Sequence, residues 1–164
     1  MKKIFSEIVH IISGGTPSTN ISDYWGGNIP WLSIKDFVNV NKYVVTTEKA
    51  ITDKGLKNST THILNQGDII FSARGTLGEV AILSKNMAFN QSCYGLRTKN
   101  SNILLQEYLF YWLISKKHSM QKKAHGAVFD TFTRSDFDSM TINVPDHIDQ
   151  QHIVNNIKEM RLCF

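Results

Sequence analysis

Gly67-Asp68-Ile69-Ile70-Phe71-Ser72-Ala73-Arg74-Gly75-Thr76-Leu77-Gly78-Glu79-Val80-Ala81-Ile82-Leu83 sets the architecture of this chain. Ile69 to Ala73 is an apolar run held between turn-forming residues on both sides, the pattern of a buried strand. The Gly75–Gly78 turn returns the chain to a second apolar run, Val80 to Leu83, that pairs with the first. Cys93 to Thr98 supplies a third strand. Beyond it, Leu104 to Lys123 predicts the longest helix, with Leu105, Tyr108, Leu109, Trp112, Leu113 and Met120 near one apolar stripe and Gly126 as its end. Ser135 caps a single turn, Met140 to Val144 is a strand stopped by Pro145, and a helix starts at Asp146 or His147 and runs to about Met160.

Upstream of the same stretch the signals are shorter. Lys3 to Ile12 predicts a short helix or strand, and the Gly, Thr, Pro, Ser and Asn residues from Ser13 to Ser22 predict a loop. Trp31 to Ile34 and Lys42 to Thr46 read as extended segments. Thr52 to Asn58 reads as a short helix capped by Thr52 or Asp53. Strands and helices mix without regular alternation, so the fold class is α+β, a mixed or antiparallel twisted sheet with flanking helices.

At 164 residues with 41% hydrophobic and 20% charged side chains, the chain has the composition of a globular domain with a real core. A net charge of +4 leans mildly toward a polyanionic partner. Cys93 and Cys163 lie too far apart and too few for a disulfide framework or zinc site, and Cys93 reads as a small core residue. The opening Met1-Lys2-Lys3-Ile4-Phe5-Ser6-Glu7 turns acidic too early for a secretory signal, and no segment has membrane-spanning length. A microbial cytoplasm is the expected location, with no membrane partner.

The enzyme readings find little to stand on. Gly14-Gly15-Thr16-Pro17-Ser18 lacks the lysine that a triphosphate-cradling loop places after its last glycine, and Pro17 removes a backbone donor. Asn28-Ile29-Pro30-Trp31 approaches the loop that adenine methyltransferases close on a flipped base, but Ile29 replaces the first proline and no glycine-rich donor turn accompanies it. Trp31 then begins a strand with its ring in the core. The six histidines show no metal-ligand spacing, and neither a nucleophile elbow nor a base partner for Cys93 is present. The sequence therefore predicts no catalytic residue and no metal site.

Binding has better candidates. Arg74, in a glycine-flanked turn just past a buried strand, can reach a guanine edge or a phosphate, with Thr76 adding a hydroxyl; alternatively Arg74 is a surface residue paired with Glu79. Lys35 offers a phosphate contact at a strand end, where Asp36 accepts from a cytosine amino group or merely orients Lys35. Lys116 and Lys123, seven apart, share one helical face and present paired ammonium groups to a phosphate backbone; a helix end with favourable dipole interactions accounts for them equally well.

Three spaced segments tie these features together: Gly14-Gly15-Thr16-Pro17-Ser18 running on through Trp25-Gly26-Gly27 and Ile29-Pro30-Trp31 to Lys35-Asp36; Gly67-Asp68 and Arg74-Gly75 with Gly78; and Pro145 with Gln151 and Ile153. Ile51-Thr52, Gly55-Leu56, Ser59, Asn90-Gln91 and Gly126 fall between them. In this order they resemble the target recognition domain of a type I restriction–modification specificity subunit, along nearly the whole chain.

The resemblance implies a recognition domain over 1–145 and the start of a spacer helix over 146–164. It implies that Thr16, Ser18, Lys35, Asp36, Arg74, Thr76, Lys116 and Lys123 face double-stranded DNA, and that Gln151, Ile153, Ile157 and Met160 face a methyltransferase (modification) subunit. A restriction subunit and a second copy of this chain are further implied partners, since family members usually carry two recognition domains. No cofactor is expected on this chain; S-adenosylmethionine belongs on the partner methyltransferase subunit, which modifies adenine N6. Asp146-His147-Ile148-Asp149 departs from the proline and leucine expected after Pro145. Two alternatives stand beside this reading: a remnant protein-interaction domain that no longer binds DNA, and a small stand-alone methyltransferase using Asn28 to Trp31.

Overall fold

Three consecutive apolar side chains in one strand demand cover on both faces. The computed structural model, which describes residues 1–125 and 131–163, provides it. In chain order its elements are β1 (Lys2–Ile4), α1 (Phe5–Ile8), β2 (Val9–Ser13), β3 (Trp25–Leu32), β4 (Tyr43–Val44), β5 (Lys49–Ile51), α2 (Asp53–Lys57), β6 (Ile69–Ser72), β7 (Val80–Leu83), β8 (Ala88–Phe89) and β9 (Cys93–Thr98). Then follow α3 (Gln106–His125), α4 (Arg134–Asp138), β10 (Thr141–Asn143) and α5 (His147–Leu162).

The strands form a five-stranded sheet in the order β2-β9-β6-β7-β4, a three-stranded sheet β5-β3-β8 and a pair β1-β10. The β6–β7 pairing across the Gly75–Gly78 turn is antiparallel, as the sequence predicts; β9 also pairs antiparallel with β6, whereas β4 joins β7 and β8 joins β3 in parallel. The fold is α+β with mixed sheets. Ile69 and Phe71 of β6 point into an aromatic-rich core with Phe5, Trp112, Phe132 and Phe137 beneath the helices. Ile70 points the other way, onto Leu32, Phe37, Leu64, Phe89 and Cys93 beside the small sheet. The central sheet is thus a middle layer. Cys93 is buried as a small apolar residue, and burial, reinforced by Asp36, pushes its thiol up to about 12.

Several boundaries move. Lys3 to Ile12 is neither one helix nor one strand: a single helical turn, α1, joins two strands that belong to different sheets. The strand read as Trp31 to Ile34 begins at Trp25, and Ile34–Asp36 is a 3-10 turn. A register shift between Trp25 and Ile29 carries the Gly26-Gly27 kink, which hid the strand's first half. Thr52 caps α2, its hydroxyl accepting from Gly55 N at 3.0 Å. At α4 the cap is Thr133 and not Ser135: Thr133 N donates to Asp136 Oδ2 at 2.7 Å, closing a capping box. The end of the long helix assigned to Gly126 lies outside the described residues.

The last helix docks on α3 through Gln150, Val154 and Ile157. Gln150 is 0% exposed and fully hydrogen-bonded: Oε1 accepts from Leu105 N at 2.9 Å, and Nε2 donates to Ile103 O and Pro145 O, each at 2.8 Å. No helix among the described residues is long and apolar enough to cross a membrane.

Candidate nucleic-acid interface

Ala73, just past the end of β6, bonds two neighbouring segments, and two further loops lie against the same rim. Ala73 N donates to Ser92 O at 2.9 Å, and Phe132 N donates to Ala73 O at 2.9 Å. Ser92 follows β8, whose parallel partner β3 ends beside it, with Asn90 N donating to Leu32 O at 3.0 Å. The Ser33–Asp36 turn leaves from that same end. The Gly14–Ser18 loop lies against the rim as well: Gly15 N donates to Phe89 O at 3.0 Å, and the Thr16 hydroxyl donates to Gln91 Oε1. A Cβ on Gly15 would sit 2.2 Å from Thr60 Oγ1, so this approach needs glycine.

The turn carrying Arg74 and Thr76 is closed by hydrogen bonds. Ser72 Oγ donates to Thr76 O and accepts from Glu79 N at 2.8 Å. Gly78 adopts φ +86°, where its missing side chain also admits Lys117 of α3. Glu79 pairs with Lys117, so the alternative Arg74–Glu79 pair is not made. Arg74 is exposed, with no hydrogen bond or ion pair to its guanidinium among the described residues. Lys35 is likewise exposed, with no hydrogen bond or ion pair to its ammonium among the described residues. Asp36 is committed elsewhere: Oδ2 accepts from Ser33 N at 2.8 Å and Oδ1 from Glu48 N at 2.8 Å. Ser18 is exposed while its carbonyl accepts from Trp25 Nε1 at 3.1 Å.

The two lysines of α3 part company. Gln121 Nε2 donates to Leu77 O at 3.0 Å, holding the second half of α3 against the Arg74 turn. Lys116 stays exposed, 6.0 Å above the Trp112 ring. Lys123 turns to α4, donating to Ser139 Oγ at 2.8 Å and lying 3.6 Å from Asp136 Oδ1. Burial opposes the Asp136 carboxylate, but its bonds to Thr133 and the Lys123 charge prevail and hold it below the ordinary aspartate value.

Two rim residues went unassigned to the interface at the level of sequence. Gln91 shows itself only through its bond to Thr16. Arg134 donates to Ile11 O and Ser13 Oγ across the edge of β2, beside a polar cleft of about 330 Å³ that also presents Ser6, His10, Lys99 and Asp138. Arg134 has no signal in its neighbours along the chain, and Asn90-Gln91 entered only as part of the family resemblance.

Catalytic geometry does not assemble around Trp31. Its ring is buried against Ile51 and Ala88 with Nε1 donating to Gly15 O at 3.0 Å, so neither face is open to a flipped base. Trp31 stands near the end of β3 and not at its beginning. Among the described residues, no group of three or more His, Cys, Asp or Glu side chains is arranged to hold a metal ion.

On the helical side, Ile153 and Met160 are 39% and 61% exposed, and Gln151 is exposed and bonded to Asn155 at 3.0 Å. Ile157 is half-buried against the aromatic core. The four residues therefore do not form one free stripe: Ile157 belongs to the seam with α3, and its neighbours flank it.

Comparison with known proteins follows the same lines. The specificity subunit of the type I restriction enzyme MjaIX of Methanocaldococcus jannaschii is 33% identical over 156 residues, 93% of this chain and 35% of that protein. A chain from a type I restriction–modification system, solved to explain complex assembly and conformational transition, superposes with a TM-score of 0.81 at 19% identity, over 99% of this chain and 38% of that one. The HsdS subunit of Thermoanaerobacter tengcongensis gives 0.77 at 19% identity, over 99% and 37%. The chain thus spans a little over a third of the proteins it resembles. The family model described as the type I restriction modification DNA specificity domain matches residues 2–161, and the chain belongs to that family.

Proposed function

We propose that this chain reads one half of a bipartite DNA site and directs a methyltransferase that modifies adenine N6, together with an endonuclease, to that site. The observation carrying the proposal is the rim itself: Arg74, Lys35, Thr16 and Gln91 stand on loops anchored to buried strands, with the two cations unpaired among the described residues. Such loops position phosphate and base-edge contacts, and their side chains can change without altering the sheets beneath. The chain itself performs no chemistry in this account. S-adenosylmethionine and the flipped base belong to the modification subunits, and the restriction subunit completes the complex in the cytoplasm. Residues 1–145 are the recognition domain and 146–164 begin the spacer helix, whose Gln151, Ile153 and Met160 contact a modification subunit or a second copy of the chain.

Mapping methylated adenines across a genome that expresses the modification subunit, with and without this chain, tests the proposal. A bipartite motif that appears only with the chain is expected. An unchanged map overturns it, as does calorimetry showing S-adenosylmethionine bound by the purified chain alone.

A further inference from the structure

Gln91 sits at the tip of the loop between β8 and β9, and both its neighbours are fixed. Asn90 N donates to Leu32 O at 3.0 Å, Asn90 Oδ1 accepts from Ser92 N at 3.2 Å, and Ser92 O accepts from Ala73 N at 2.9 Å. Gln91 itself is exposed. An exposed glutamine ordinarily samples many rotamers and loses that freedom on binding. Here the Thr16 hydroxyl donates to Oε1 and holds the amide in place before any ligand arrives.

With the hydroxyl donating, Oε1 is the amide atom turned toward Thr16. Oε1 keeps one lone pair free, and Nε2 keeps both hydrogens, with no other partner among the described residues. An acceptor beside a donor in one plane matches adenine in the major groove, where N6 donates and N7 accepts. Guanine presents two acceptors there, so one of the two bonds would be lost. Arg74 stands one backbone bond away, across Ala73–Ser92, with the double donor that suits guanine.

We infer that Gln91 is a specificity-determining residue that selects adenine at one position of the DNA site, and that Thr16 is its positioning residue. The inference rests on the DNA-recognition reading above. The purified chain is incubated with random-sequence duplexes, the bound pool is sequenced, and the selection is repeated with Gln91→Ala, Thr16→Val and Thr16→Ser.

The expected result is a short wild-type motif in which Gln91→Ala erases an adenine preference of about 10–100-fold at one position and leaves the others intact. Thr16→Val should weaken the same position only, and Thr16→Ser should restore it. A wild-type motif that Gln91→Ala leaves unchanged, or binding that it lowers equally for all sequences, overturns the role of Gln91 while leaving DNA recognition standing. A wild-type pool without any motif overturns the recognition function and this inference together.

Discussion

On the helical side of the molecule four lysines, though not Lys116, end on carboxylates, while on the loop rim Arg74 and Lys35 end without one among the described residues. Lys42 and Lys158 both reach Glu107, at 2.7 and 2.8 Å, Lys117 reaches Glu79, and Lys123 lies 3.6 Å from Asp136. Arg74 and Lys35 have no ion pair among the described residues, and the nearby carboxylate of Asp36 is occupied by backbone amides. The two regions put their charge to opposite uses. Charge on the helical side joins α3 to the residues just before β4 and β7 and to α4 and α5; charge on the rim is left for something outside the chain. A net charge of +4 says nothing about this division, because it adds the spent cations to the free ones.

The largest expected effects should separate stability from binding. Phe137 is fully buried and packs against Phe5, Phe71 and Phe132 with ring centroids 5.2, 5.4 and 4.8 Å away. Phe137→Ala should cost about 3–5 kcal/mol of unfolding free energy in a denaturant titration. Arg74→Ala should leave that titration unchanged within error and weaken duplex binding in a band-shift assay by about 1–3 kcal/mol. Equal loss of stability in both variants would erase the distinction between core and rim.

Lys123→Ala sharpens it on one helix. With its ammonium committed to α4, this change should shift DNA affinity by less than about 0.5 kcal/mol, while Lys116→Ala lowers affinity and flattens its salt dependence by about one counterion. A larger effect from Lys123 would mean that its pairing with Asp136 gives way on binding.

The smallest effect concerns pH. Burial works against the Glu107 carboxylate, yet bonds from Lys158 and Lys42 outweigh it and set its value below that of an ordinary glutamate. The carboxylate is thus easier to ionise in the fold than in the unfolded chain. Its contribution is complete above the ordinary glutamate value and fades as pH falls through the lower folded value. Glu107 is partly exposed, so the contribution is on the order of 1 kcal/mol or less. Thermal midpoints of wild type and Glu107→Gln should differ at neutral pH and converge in acid.

How legible all this was depended on where the signal lay. The β6–β7–β9 centre could be read because burial on two faces leaves an unbroken apolar run between turns. β5 and β8 escaped because three and two residues are too short for periodicity, and their pairing with β3 is a long-range choice. Helix α3 buries Phe110 and Tyr111 in addition to its predicted stripe, with Lys42 over both rings and Arg161 of α5 over Tyr111, contacts that no local pattern announces. At the rim, Arg74 was visible from its flanking glycines. Gln91 was not, because its partner Thr16 lies 75 residues away. Gln150, and not its neighbour Gln151, proves to be the buried anchor of the last helix, a choice that one step of helical rotation decides.

Backbone amide shifts recorded while the chain is titrated with a duplex carrying its selected motif test the division between rim and helices most directly. Changes concentrated at Thr16, Lys35, Arg74 and Gln91, with Gln151, Ile153 and Met160 unmoved, are the predicted outcome. Shifts confined to α5, or to the Lys123–Asp136 contact, would contradict it.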